Sequence, residues 1–584
     1  MTPALPMVRH PCYTPSGCRM LFGKLDINPS LSPAVLDTAT WDHAAAAGEI
    51  VRHKERWGSL SDAALAGAPP RAPGDPAATV LAVTGSPREV VILATLKDGQ
   101  KVFLQINGPA RGSDLGRPFF QLQLREKLLL AAYPTDAAVI DRFCRVLALH
   151  NGPRTLGGLP RLGTGCRMTT LVWPGIFSAM QGRGFAANTI QNSVRELNLL
   201  TDLKSGAEPE RIYASGFGMI ESGYTGSTFE GLWVAGVLAA LEHGSPLTYG
   251  ADADHIQVKR ADAGLARARC VVDSARHYTF FTLDVADVLR YEAIGAKGAG
   301  EELIRERIPS ERERHDVLSF HKDAARLDPD IIGRCVGKFW GALAAAAALA
   351  RHITSVRDGA AFDLEFAFDE HPPEIAGPAC ISSDDEVAFV AREIRRRGLP
   401  VTHIAPNFGI EKGFDYRLTD GHAGLEARVG SHFRIAEKSG FLLDVHSADD
   451  LSGPTRRAIR RATGGRMHFK ISPMLHFIFA ETIADRHPEL FRRWWDDARA
   501  YAAEEARRGS AFAAACLDAT PEGEPSPRQE VFRHFFFAYP GRRDPSGRFI
   551  NREALYTLPA ETRADYQDRI AAHLGMLAED LFVS

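Results

Sequence analysis

The 584-residue sequence is short of several features, and each absence removes a class of function. It has almost no net charge, −3 at neutral pH, so no global field draws the chain to nucleic acid or to an anionic membrane. Attraction for an anionic ligand has to be local. None of the eight cysteines (Cys12, Cys18, Cys144, Cys166, Cys270, Cys335, Cys380, Cys516) stands in a Cys-X-X-Cys pair, which argues against a zinc ribbon or a thioredoxin-like site. Scattered thiols in a chain of this size read as mostly buried, in a reducing compartment. Residues 1–19 contain no continuous apolar stretch, so no secretory signal is evident. The longest apolar run, the alanine-rich 340–350, is shorter than the ~20 residues that span a bilayer. A buried helix is expected there, in a cytoplasmic protein. No Gly-X-Gly-X-X-Gly follows a strand and opens a helix, so a Rossmann-type nicotinamide site is not supported.

What is present is an ordinary globular composition, 45% hydrophobic and 24% charged, in a chain longer than the roughly 250–300 residues at which one core stops growing. Residues 1–78 are rich in Pro, Gly and Ala and read as a loosely structured lead-in and linker. Residues 79–155 read as an N-terminal α/β extension, with short β-branched runs at 79–83 and 90–94. Over 156–485, short apolar runs ending in polar residues (278–284, 362–370, 401–406, 441–447, 467–472) alternate with helical segments. One of these, from Asp384 to Arg397, begins with a Ser/Asp cap and stops at Gly398. Such alternation implies a parallel sheet. The expectation is an α/β fold, a (β/α)8 TIM-barrel-like core with insertions near 197–247 and 301–351. Residues 486–584 read as a C-terminal helical region with an aromatic-rich packing helix over 528–539. In such barrels the polar residues at the C-terminal strand ends converge on one face, which holds the active site.

The densest chemistry lies at 248–259, Thr-Tyr-Gly-Ala-Asp-Ala-Asp-His-Ile-Gln-Val-Lys. Carboxylates and a neutral imidazole suit a divalent cation, and alternation puts Asp252 and Asp254 on one side if a strand continues through them. The plain alternative is a polar loop with an aspartate cap. Glu365, Asp369 and Glu370 form a second group. A glutamate inside an apolar strand is costly unless paired or metal-bound, and a buried salt bridge is the alternative there. His446 with Ser447 ends one apolar run, and His468 and Lys470 alternate on the next. Residues 161–167, Arg-Leu-Gly-Thr-Gly-Cys-Arg, read as a glycine-containing turn flanked by cations, able to hold a carboxylate or phosphate. Gln191, Ser193 and Arg195 add polar groups, and 411–416 reads as a surface turn or a lid.

On this reading His255, Glu365, His446, Asp254 and His468 are the metal-ligand candidates, with Zn, Mn, Ni, Co and Fe all admitted. Asp284 and Glu370 are candidate bases. Lys259, Lys470 and Arg167 are candidates to hold a carboxylate or a developing oxyanion. Gln191, Arg195 and Asp252 are further candidate substrate contacts. The partner implied is a small anionic molecule, with neither nucleic acid nor membrane, and with oligomeric state left open.

The order of these segments resembles the tagaturonate epimerase family (tagaturonate/fructuronate epimerases). The match runs through residues 163–167, 191–196, 250–255, 280–284, 362–370, 411–416, 446–447, 462–465 with His468 and Lys470, and 487–491, over roughly 155–575. The Gly-Ala-Asp-Ala-Asp-His run is its most specific piece. The resemblance implies a sugar-acid C4 epimerase of hexuronate catabolism that interconverts D-tagaturonate and D-fructuronate, with a barrel-like fold and a divalent metal. C4 of a 2-ketose acid bears no acidic hydrogen, so retro-aldol/aldol chemistry is the expected route. Under that chemistry the oxyanion for Lys259, Lys470 or Arg167 to hold is an enediolate. The alternatives are a metal-dependent aldolase or isomerase of another ketose, and a non-catalytic sugar-acid-binding protein. The segment 197–247 departs from the family pattern just upstream of the Asp/His run, and the N-terminal part matches poorly.

Overall fold

A computed structural model describes residues 20–22, 25–27 and 43–582, apart from 69–70, 73–75, 85–88, 98, 108–114, 148–150, 168, 206, 208, 215–217, 261, 326, 371–379, 521–522 and 545–548. Cys12, Cys18 and Ser215 to Phe217 lie outside the described residues.

Eight parallel strands close into a barrel: β1 (Arg161–Gly165), β2 (Ala186–Asn192), β3 (Tyr249–Gln257), β4 (Phe280–Asp284), β5 (Asp363–Phe368), β6 (His403–Pro406), β7 (Leu442–Val445) and β8 (Met467–Ile471). Each pairs with the next in chain order, and β8 returns to β1. Parallel neighbours need a crossover, usually a helix. These are α1 (Thr169–Arg183), α2 (Phe229–His243), α3 (Asp262–Ser274), α4 (Pro329–Val356), α5 (Asp384–Arg396), α6 (Gly421–Lys438) and α7 (Gly453–Thr463). The C-terminal helix α8 (Ala560–Leu581) packs between α7 and α1 and closes the ring.

This topology corrects several sequence expectations. The segment 197–247 is not wholly an insertion, because α2 within it is the crossover from β2 to β3. In 301–351, likewise, most of the barrel helix α4 is found. The additions are the excursion before α2 and the helices Gly300–Arg307 and Glu311–Ala325 before α4. Helix α4 carries the alanine-rich run. It is the one helix among the described residues long and apolar enough to cross a membrane, and its Phe339, Ala342, Leu343 and Ala346 are buried. Residues 161–165 are a fully buried barrel strand rather than a turn. The lead-in is not loose throughout. Helices His43–Arg52 and Lys54–Leu65 bury Ile50 and Trp57 against the N-terminal sheet, and the Trp57 indole N–H donates to the Ile50 carbonyl at 2.9 Å. That sheet has six antiparallel strands, including Ala77–Thr84 and Glu89–Thr95, which cover the two expected runs. The aromatic-rich 528–539 segment forms two short helices, Glu530–Phe535 and Ala538–Gly541.

TIM-barrel interiors ordinarily fill with branched aliphatic side chains. This one is polar. Arg161, Asp252, Thr282, Asp363, Glu365, His403, Asp444, His468 and Lys470 are all buried, while Leu162, Phe281, Leu283, Leu364, Phe366, Ile404, Leu443 and Phe469 lie in the apolar core with the helices. The strands therefore alternate in polarity although both faces are buried. The lower end is tied by Asp363, which accepts the N–H groups of Leu156 (2.9 Å) and Gly157 (3.0 Å) and the Arg161 guanidinium (3.1 Å). Gly163 makes room above: a Cβ there would stand 2.3 Å from Gln191 Oε1 and 2.7 Å from His468 Nε2.

Candidate active site

A cavity opens at the C-terminal ends of the strands, lined by Arg167, Gln191, Arg195, Asp254, His255, Lys412, His446 and Lys470, among others. Strand β3 shapes it. Consecutive strand residues point to opposite faces, yet Asp254 and His255 both line this cavity. The β3–β4 register shifts between Ala253 and Ile256, and His255 has φ +44°. A bulge of this kind re-aims side chains. Ser447, next to His446, also has φ +60°. Left-handed backbone at a non-glycine residue is costly and clusters at functional sites, and here it occurs at two strand ends facing the same cavity.

Around His255 the imidazole Nδ1 stands 3.3 Å from Asp284 Oδ2 and 3.6 Å from Glu370 Oε1. These three residues offer donor atoms that all lie within 4.8 Å of one another, and His255 lines the cavity. Glu370 is also gripped from the other side: Arg195 Nη2 donates to Oε2 at 2.9 Å, and the Lys412 ammonium donates to Oε1. Its backbone is held too, since the Tyr291 hydroxyl donates to the Glu370 carbonyl at 2.8 Å and the Asn407 side chain to the Asp369 carbonyl at 2.6 Å. Burial works against the Glu370 carboxylate, but Arg195, Lys412 and His255 together hold its pKa well below the usual range.

One layer deeper, Lys470 is the hub. Its ammonium lies 2.8 Å from Glu365 Oε2, 2.9 Å from Asp254 Oδ1 and 3.4 Å from Asp252 Oδ2, and it donates to the Thr282 hydroxyl. Burial would strip its proton, but Asp252, Asp254 and Glu365 hold its pKa well above the ordinary lysine value. Burial, reinforced by Asp254 and Glu365 and opposed by Lys470, pushes the Asp252 carboxyl up to about 7. Asp254 stays ionised, because His255 and Lys470 outweigh its burial. His446 sits between two carboxylates, with Nε2 2.9 Å from Glu365 Oε1 and Nδ1 2.9 Å from Asp369 Oδ2. Despite burial, Asp369 and Glu365 keep it an imidazolium.

Beneath these, Glu365, Asp444 and His468 make a second group of donors within 4.8 Å. It is closed to solvent, at 0%, 1% and 0% exposure. His468 Nδ1 and Asp444 Oδ2 are 2.7 Å apart without the alignment of a hydrogen bond, and both Asp444 oxygens and both His468 nitrogens lack hydrogen-bond partners. Burial, then Glu365, raises the Asp444 carboxyl, and burial, then Arg161, keeps His468 neutral.

Two buried clusters can thus hold a divalent cation, each through an imidazole and two carboxylates. They divide the expected ligands. His255 is in the upper group, with Asp284 and Glu370 beside it. Glu365 and His468 are in the lower one, and Asp254 and His446 line the cavity next to the upper one. Arg167, Gln191, Arg195 and Lys470 line the cavity as well, whereas Asp252 lies below it. Lys259 is not brought in, because it is exposed beyond the end of β3. Asp444 and Thr282 were missed, although each stands two residues before a named site residue on its strand and so shares that residue's face. Lys412 was hidden in what read as a surface turn.

The sequence profile of the tagaturonate epimerase family matches residues 220–519, just over half of the chain. The chain belongs to the tagaturonate epimerase family. It is accordingly an isomerase of the epimerase class. Two crystal structures of the fructuronate-tagaturonate epimerase UxaE from Cohnella laeviribosi, one native and one with a glycerol bound, superpose with a TM-score of 0.62 at 19% identity, covering 90% of this chain and 99% of theirs. A third, with two glycerols, gives 0.62 at 18%, covering 91% and 100%. At that identity the likeness is one of fold, and it extends over nearly the whole length of both chains. No curated protein sequence matches the chain significantly.

Proposed function

We propose that the protein interconverts D-tagaturonate and D-fructuronate at C4 with a divalent metal held by His255, Asp284 and Glu370. The observation that carries this reading is that His255 of that triad lines one cavity together with the Asp254–Lys470 pair and with Arg195 and Lys412. The upper triad is preferred to the lower because its His255 lines the cavity, whereas the lower one is closed to solvent. Asp284 and Glu370, first read as bases, then serve as ligands. When bound, the metal supplies Lewis-acid polarisation of the substrate's ketone.

The side chains do the rest. Asp254 takes the proton of the 4-hydroxyl, and the O–H electron pair becomes the new C4 carbonyl. The C3–C4 bond breaks, and its pair passes to the C2 carbonyl, giving a three-carbon enediolate and an aldehyde. Lys470, fixed as an ammonium, faces the enediolate oxygens. The aldehyde turns about its C4–C5 bond, the enediolate adds to its other face, and Asp254 returns the proton to O4. Nothing is consumed, so the same residues serve both directions. Arg195, Lys412 and Arg167 supply the positive charge that selects a carboxylate-bearing sugar.

The test is turnover of D-tagaturonate by purified protein, before and after chelation and after metal is restored. Appearance of D-fructuronate that stops on chelation and returns with metal is expected. Full activity in a rigorously metal-free preparation, or three-carbon fragments as the end product, would overturn the proposal.

A further inference from the structure

We infer that Glu370 couples the metal centre to recognition of the substrate's carboxylate, by occupying the carboxylate site whenever it is not a metal ligand. This rests on the proposed placement of the metal at His255, Asp284 and Glu370. The Glu370 carboxylate stands between two competing sets of partners. On one side are His255, at 3.6 Å, and through it Asp284. On the other are two cations, the buried Arg195 and the half-buried Lys412, that converge on its two oxygens, the Arg195 fork at 2.9 and 3.5 Å and the Lys412 ammonium. A planar fork plus a point charge on one carboxylate is the way proteins recognise a carboxylate ligand. In the structure that ligand is the protein's own side chain. Arg195 and Lys412 come from the loops after β2 and β6, and neither belongs to the donor triad, so both are suited to a sugar acid once Glu370 turns away.

The electrostatics make the two events depend on each other. A dication beside His255 draws Glu370 toward it and leaves Arg195 and Lys412 short of an anion, in a site where unpaired buried charge is costly. A carboxylate-bearing substrate restores that balance. It also displaces Glu370 from the cations and returns it to the metal. By linkage each ligand then tightens the other. A neutral ketose has no carboxylate for Arg195 and Lys412, so it is discriminated against through metal occupancy as well as through direct contact.

The experiment measures the affinity of metal-free protein for Mn2+ and Zn2+ by competition with a chromophoric chelator, in buffer, in excess sorbitol and in excess D-gluconate, for wild type, Glu370→Gln and Lys412→Met. Comparing variants in the same solutions cancels complexation by gluconate itself. In wild type, gluconate is expected to tighten metal binding by at least about 5-fold, the lower end of ordinary coupling, and sorbitol to leave it unchanged. Glu370→Gln should bind metal more weakly and show less than about 2-fold coupling by the same measure. Lys412→Met should keep its metal and lose most of the coupling. Metal affinity in wild type that ignores gluconate, or coupling that persists undiminished in Glu370→Gln, overturns the inference while leaving the epimerase reading intact. Wild-type metal affinity in a His255→Ala variant would instead overturn the placement of the metal, and the inference with it.

Discussion

The upper triad, His255, Asp284 and Glu370, and the lower one, Glu365, Asp444 and His468, offer the same donors, one imidazole and two carboxylates within 4.8 Å. They differ in their surroundings. The upper triad is approached by a cavity, sits beside a bulged strand, and is flanked by Arg195 and Lys412, which a ligand anion can claim. In the lower triad the residues are closed in by Lys470, Arg161 and His403, with no route for a ligand. Donor geometry alone therefore does not make a reactive centre. On the proposed placement of the metal, access and replaceable counter-charges separate the two.

The comparison breaks most sharply on metal retention. His255→Ala should loosen metal by more than the roughly 10–100-fold that loss of an outer partner costs, while His468→Ala should keep it, as read by metal content after dialysis. The reverse result would move the centre to the lower triad. Next comes turnover. Asp254→Asn should lower kcat by about 10²–10⁴-fold, the range for a general base. Asp444→Asn, which replaces a carboxyl that burial keeps protonated, should cost less than about 10-fold by the same yardstick. Stability should show the opposite pattern. Asp363→Ala leaves Arg161, 0% exposed, without its carboxylate partner and should cost about 3–5 kcal/mol in denaturant unfolding. Metal affinity should be unchanged in that variant.

A further test lies outside both layers and separates acid unfolding of the scaffold from acid loss of activity. Glu393 on α5 accepts from Arg396 and Arg397 and pairs with His321 at 3.0 Å. Burial would raise its pKa, but those partners bring it from 4.5 down to about 2. A depressed folded-state value contributes stability above the unfolded pKa, which is lost as pH falls from about 4.5 toward 2. The amount is on the order of 3 kcal/mol at neutral pH. Glu393→Gln should flatten the pH dependence of the urea midpoint in that window. An unchanged slope would assign acid lability elsewhere.

The alternation of polar and apolar residues at 278–284, 362–370 and 441–447 made the barrel legible, because inward and outward positions differ in kind even though both are buried. Strands β1 and β2 were harder. Arg161, Gly163 and Gly165 look like turn residues until Asp363, some two hundred positions away, is seen to pair with Arg161. The roles of α2 and α4 were equally hidden, since an insertion and a crossover helix look alike until the strands they connect are known to be neighbours.

Sequence by itself determined which residue types are present and in what phase: Asp252 with Asp254, Glu365 with Asp369, His468 with Lys470. A strand's two-residue period is a local property of the backbone, so these pairings follow without the rest of the chain. Only the tertiary structure decided depth and access. It put Asp252 in the closed layer and Asp254 at the cavity, bulged β3 so that His255 faces the same way, and set Lys412 against Glu370. Those outcomes depend on barrel closure and register across strands far apart in the chain, and no local pattern encodes the distance between them.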